Sequence, residues 1–93
     1  MTPYIIKARG GTMSSWEKLL ARLLALDGDM RFEELRKILE KYGYHLDSVN
    51  GSHHTFRKEG RPPITIPRHK PVKKVYIRLI RDLVESEENN ENS

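Results

Sequence analysis

Asn50-Gly51 stands between two segments in which apolar and polar residues alternate, Tyr44 to Val49 before it and Ser52 to Lys58 after it. Asn-Gly between alternating runs is the strongest short-range signal of a β-hairpin, because both residues accept the positive φ that a mirror-image turn requires. The hairpin sets the frame for the rest of the chain. Glu59-Gly60-Arg61-Pro62 turns the chain again, and Ile64-Thr65-Ile66 reads as a short third strand closed by Pro67. Outside this segment the apolar period changes from two to 3.6. Trp16, Leu19, Leu20, Leu23 and Leu24 predict a helix over about 14–26, opened by a Ser14-Ser15-Trp16-Glu17 capping box and ended by Asp27-Gly28-Asp29. Phe32, Leu35, Ile38, Leu39 and Tyr42 predict a second helix over about 31–42, stopped by Gly43. Val72, Val75, Tyr76, Leu79, Ile80, Leu83 and Val84 form a last stripe, with Pro71 in its first turn and an end near residue 86.

The expected fold is therefore α+β: an extra N-terminal helix, then α-β-β-β-α, with a three-stranded antiparallel sheet and helices on one face. The other sheet face stays open, so it must carry polar residues or bind something. Ninety-three residues make one domain. We expect a disordered leader over 1–13, the domain over 14–86 with its core at 30–84, and a disordered acidic tail over 87–93. The chain has no cysteine, so disulfides and thiolate metal sites are excluded. No apolar run approaches the ~20 residues of a membrane span, and the N-terminus lacks the apolar core of a secretory signal. A cytoplasmic protein is the expectation.

The formal charge is +4, but it is unevenly spread. Gly51 to Arg81 holds nine Lys/Arg and one acid, a local net of +8, and three of the four histidines. Residues 1–50 nearly balance, and the last twelve residues carry five acids and no base. A concentrated basic segment points to a polyanion, with nucleic acid the first candidate; an ordinary solvated lysine face is the plain alternative. Lys74, Arg78 and Arg81 share one helical face and, with Arg68 and Lys70, could track phosphates.

His53 and His54 are adjacent, and adjacent strand residues point to opposite faces. Phe56 is the core residue of that strand, so His54 and Lys58 belong to its side. His53, Thr55 and Arg57 belong to the open side. An imidazole changes charge near neutrality and can move a proton. A neighbouring guanidinium stabilises charge that develops on phosphate oxygens. RNA supplies its own nucleophile, the 2′-OH, so His53 with Arg57 could cleave RNA without a metal or cofactor. Ser52 could orient the imidazole or bond a phosphate, or serve the turn alone. His45, His53, His54 and His69 could in principle meet at a metal, but the divergence of His53 and His54 argues against it.

Gly51-Ser52-His53-His54-Thr55-Phe56-Arg57, then Pro63-Ile64-Thr65-Ile66-Pro67-Arg68-His69, then a basic stretch into an amphipathic helix, resembles the HicA toxins of bacterial HicA–HicB toxin–antitoxin modules. Arg31 to Leu39 is similar to that family's first helix, and the resemblance spans about residues 30–84. It implies a fold like that of double-stranded-RNA-binding domains, a metal-independent endoribonuclease acting on mRNA, and a HicB-like antitoxin partner that covers the active site. The catalytic histidine it implies is His53, with Ser52 in support. A Gly-Ser-x-His spacing in some members keeps His54 as the alternative. Arg57, Lys58, Arg68, Lys70, Lys74 and Arg78 are the expected phosphate contacts. A non-catalytic RNA-binding module of the same fold is the competing expectation, and the helix over 14–26 is a departure from the minimal domain.

Overall fold

The computed structural model describes residues 14–26 and 28–91, with the backbone alone at 90 and 91. The expected leader over 1–13 lies outside the described residues. The elements run α1 (Ser15–Ala25), α2 (Phe32–Lys41), β1 (His45–Asn50), β2 (His53–Arg57), β3 (Ile64–Pro67) and α3 (Lys74–Glu91). Both strand pairs are antiparallel, and β2 is the central strand of the order β1-β2-β3. The fold is α+β, as its sequence pattern predicts.

Helix boundaries follow local chemistry. The Ser14 hydroxyl accepts from the Glu17 N–H at 3.1 Å while the Glu17 carboxylate accepts from the Ser14 N–H at 2.8 Å, a complete capping box on α1. α2 ends because Gly43 takes φ +94°. Its N–H then reaches the Glu40 carbonyl, and the Tyr44 N–H reaches the Leu39 carbonyl, closing a Schellman motif. A Cβ at position 43 would also stand 3.2 Å from the Lys58 Cε, so the glycine serves both turn and packing.

The hairpin is present, but its loop is Gly51-Ser52 rather than Asn50-Gly51: Asn50 pairs with His53, and Val49 pairs with His54. Gly51 alone takes positive φ, +62°, which is the mirror-turn form with glycine at the first central position. Asp47 is an extra residue in β1, since Leu46 faces Phe56 and Ser48 faces Thr55. That bulge restores Leu46 to the Phe56 side. β3 pairs Ile64 with Phe56, Ile66 with His54 and Pro67 with His53; a proline is tolerated there because β3 is an edge strand.

One core joins all layers. Leu23, Leu35, Ile38, Leu39, Phe56, Ile66, Ile77, Ile80 and Val84 are sealed from solvent. Phe32 at the start of α2 reaches the sheet, with its ring 6.1 Å from Phe56. Arg22 on α1 holds Glu34 on α2 at 2.8 Å and the Asp29 carbonyl at 2.6 Å.

Three expectations for α3 need correction. Its buried line is Ile77, Ile80, Val84 and Glu87, whereas Val75 and Leu79 remain 60% and 45% exposed. Val72 is buried but precedes the helix, so it is not part of the helical stripe. Pro71 lies three residues before the first helical residue, not in the first turn. The helix also continues past 86 to Glu91, so the segment expected as a disordered acidic tail is helical over its described part. The cause is Glu87. Its side chain, buried, meets Lys58 Nζ at 3.2 Å and Arg61 Nε at 3.0 Å, and the Tyr42 hydroxyl donates to Glu88 at 2.8 Å. Glu87, an acid that looks surplus in the sequence, is the counter-ion of the β2–β3 turn.

Candidate active site

β2 delivers its two histidines as alternation predicts. His53 is exposed on the open face, opposite Asn50 and Pro67. His54 is half-buried on the helix side, where its ring lies 4.6 Å from that of Phe32 at a 58° tilt. Thr55 returns to the open face and shares a 2.9 Å hydroxyl contact with Thr65.

Ser52 supplies its backbone rather than its hydroxyl. Its carbonyl accepts the Arg68 N–H at 2.7 Å and lies 3.0 Å from His54 Nδ1. A carbonyl can only accept, so His54 carries a proton on Nδ1 in this arrangement. In the neutral ring that leaves Nε2 as the bare nitrogen, with no protein partner among the described residues. Such pinning of one ring nitrogen sets the tautomer and aims the other.

The expected phosphate contacts separate into two groups. Arg57 Nε is held by Asp47 at 2.9 Å on the open face. Lys58 lies at the far end of the strand, roughly 16 Å from His53 at ~3.3 Å per residue, against Glu87 and 5.7 Å from the Tyr44 ring centre. Lys74 Nζ donates to the Gly28 carbonyl at 2.7 Å, closing the loop that follows α1. Each of these three has a partner within the fold. Arg68 shares the Phe32 ring with His54, with its guanidinium 5.3 Å from the centre of that ring and paired with Glu33. Lys70 and Arg78 are exposed, with no ion pair to a described residue.

Two residues at this site are absent from the sequence reasoning. Phe32 reads there only as core, yet the His54 ring and the Arg68 guanidinium both lie against it. Glu33 carries no signal at all beyond being an acid in a helix's first turn. The four imidazoles do not converge, and among the described residues no three metal-ligating side chains gather. No described helix is long and apolar enough to cross a membrane.

Carboxylates away from the histidines are tuned. Burial pushes the Glu87 carboxyl up, but its bonds to Arg61 and Lys58 outweigh this and hold it below the ordinary carboxylate value. Glu34 behaves alike: burial raises it, and the Arg31 N–H and Arg22 guanidinium bring it down.

No curated protein and no solved structure matches the chain. The model of one protein family, the HicA toxin of bacterial toxin–antitoxin systems, matches residues 32–85, from the first residue of α2 through most of α3 and across every histidine. His53, His54 with its Ser52 anchor, Phe32 and Arg68 fall inside that span and α1 falls outside it, and since the span exceeds half of the sequence, the chain belongs to the HicA toxin family.

Proposed function

We propose that this toxin is a metal-independent endoribonuclease that cleaves mRNA in the cytoplasm by histidine acid/base catalysis, and that a HicB-like antitoxin blocks it by covering the same surface. The observation that carries the reading is the His54 ring: half-buried on Phe32, fixed through Nδ1 to the Ser52 carbonyl, and sharing both that carbonyl and that aromatic ring with Arg68. In the reaction Nε2 takes the proton of a ribose 2′-OH. The 2′-oxygen attacks the adjacent phosphorus, the bond from phosphorus to the 5′-oxygen breaks, and the imidazolium returns a proton to that leaving oxygen. The products are a 2′,3′-cyclic phosphate and a 5′-hydroxyl. Arg68 neutralises charge on the non-bridging oxygens in the pentavalent transition state. Lys70 and Arg78 add longer-range attraction for the RNA backbone.

His53 supports a second reading. It is the histidine the family resemblance favours, it is exposed, and Arg57 lies four residues along the same face. Its ring, however, makes no hydrogen bond to a described residue, whereas general acid/base catalysis needs a positioned group. The test is cleavage of labelled RNA by the wild type, His53→Ala and His54→Ala, each with its melting curve. His54→Ala should lose about 10²–10⁴ of its rate, the usual contribution of a proton-transfer group, while His53→Ala stays within about tenfold of the wild type. The reverse pattern assigns the chemistry to His53. A wild type that retards RNA in a gel yet yields no cyclic-phosphate ends is a non-catalytic RNA-binding module.

A further inference from the structure

Building on the RNA-cleaving reading, we propose that Glu33 is an internal phosphate mimic: it occupies the Arg68 guanidinium beside the His54 imidazole until an RNA phosphate displaces it. Arg68 is anchored twice, by its N–H on the Ser52 carbonyl and by its guanidinium over Phe32 at 5.3 Å. His54 uses the same carbonyl and the same ring. The two centroid distances keep imidazole and guanidinium within about 10 Å of each other. A guanidinium so fixed is a ready fork for two oxygens of one anion.

The anion it holds in the free protein is the Glu33 carboxylate. Glu33 has no structural need of this pairing. It stands in the first turn of α2, where an acid is already favoured by the helix dipole. Its neighbour Glu34 makes the contact to α1 instead. Both members of the Arg68–Glu33 pair are about half exposed, and ion pairs of that kind are weak and exchangeable. The carboxylate thus screens the arginine that shares the Phe32 ring with the catalytic imidazole without blocking it. Engagement of RNA becomes an exchange of one anion for another, which lowers affinity for stray phosphates and keeps the guanidinium preoriented.

The test measures anisotropy of a short, labelled, mixed-sequence 2′-O-methyl RNA, which binds but has no free 2′-OH to react, over a range of salt. Glu33→Gln should bind roughly two- to fivefold more tightly, the range a released surface pair allows. Its log–log salt dependence should steepen by no more than about one unit, because Arg68 meets the phosphate in both proteins and only the displaced carboxylate, which regains a cation, is missing from the variant. In the Arg68→Ala background Glu33→Gln should add nothing. On cleavable RNA, Glu33→Gln should lower KM and leave kcat unchanged, since only ground-state binding changes. Glu33→Ala repeats the measurement with a different side chain, and melting curves confirm that each variant folds. Unchanged binding by both Glu33 variants overturns the proposal. So does equal tightening with and without Arg68, which would mean general charge removal. If the wild type neither binds nor cuts any RNA, the nuclease reading itself falls and takes this proposal with it; if it does both and Glu33→Gln is silent, only the mimic falls.

Discussion

The two ends of β2 carry similar basic residues and use them differently. At the end that begins with His53 and His54, one imidazole and one guanidinium rest on a single aromatic ring, held by a backbone carbonyl and an exposed, replaceable acid. At the end that finishes with Arg57 and Lys58, each cation has a carboxylate: Asp47 for Arg57, and Glu87, shared with Arg61, for Lys58. The first end leaves His54 Nε2 without a partner among the described residues and holds its guanidinium by an exposed pair. The second closes the molecule on itself, fastening the β2–β3 turn to the last turns of α3. Positive charge per residue therefore says little about nucleic-acid contact until each cation's partner is known.

The largest effects should split cleanly between the ends. His54→Ala should remove most cleavage, as set out above, with a melting temperature close to the wild type, because the ring is only half-buried. Glu87→Gln should do the opposite. It leaves Lys58 and Arg61 without a counter-ion around a buried site, and we expect a loss of about 1–3 kcal/mol, below the full cost of breaking a wholly buried pair because both cations reach solvent. Denaturant unfolding measures it. Specific activity of the folded fraction should not move. A large activity loss in a stable Glu87→Gln protein would break the contrast between the ends.

Acid sharpens the same contrast. The folded-state pKa of Glu87 lies below its unfolded value, near 4.3 for a free glutamate. The unfolded chain then binds the proton more readily. The stability from Glu87 is present above about pH 4.3 and is lost as pH falls through the lower, folded value. Glu34 adds to the loss in the same window. The wild type should destabilise steeply below about pH 4, and Glu87→Gln should show a shallower acid limb while starting from a lower plateau. Parallel acid limbs in the two proteins would mean that Glu87 is not held by its cations in solution.

Much of this arrangement is legible in the chain, and the boundary of what is legible has a physical cause. The Ser14 capping box, the α2 stripe, the hairpin and the opposed faces of His53 and His54 all depend on residues within a few positions of each other. Local geometry decides them. The exact loop, Gly51-Ser52, depends on which residue takes positive φ once the bulge at Asp47 has aligned Leu46 with Phe56, and that is a cross-strand matter. The partners of the cations are remoter still. Lys58 finds Glu87 on another element, and Lys74 finds a carbonyl beyond the end of α1. No spacing rule reports such contacts, so a basic segment looks uniformly available when half of it is engaged. Val75 and Leu79 show the same limit for apolar residues: they fit a helical period, but the side of α3 that meets the core is chosen by Ile77 and Ile80.

Arg57 is the residue on which the comparison is most finely balanced, and its effect should be the smallest. It belongs to the engaged end by its bond to Asp47, yet it projects from the open face in line with His53. The pair is exposed on both sides, so Asp47→Ala should change stability by no more than about 0.5–1 kcal/mol. What it should reveal is allegiance. If Arg57 serves only the fold, freeing it leaves RNA affinity and its salt dependence as they were. If Arg57 contacts phosphate, Asp47→Ala steepens the salt dependence by about one unit, and Arg57→Ala flattens it by the same amount. We expect the first outcome. On that outcome RNA affinity rests on Arg68, Lys70 and Arg78 and not on the cation of the open face.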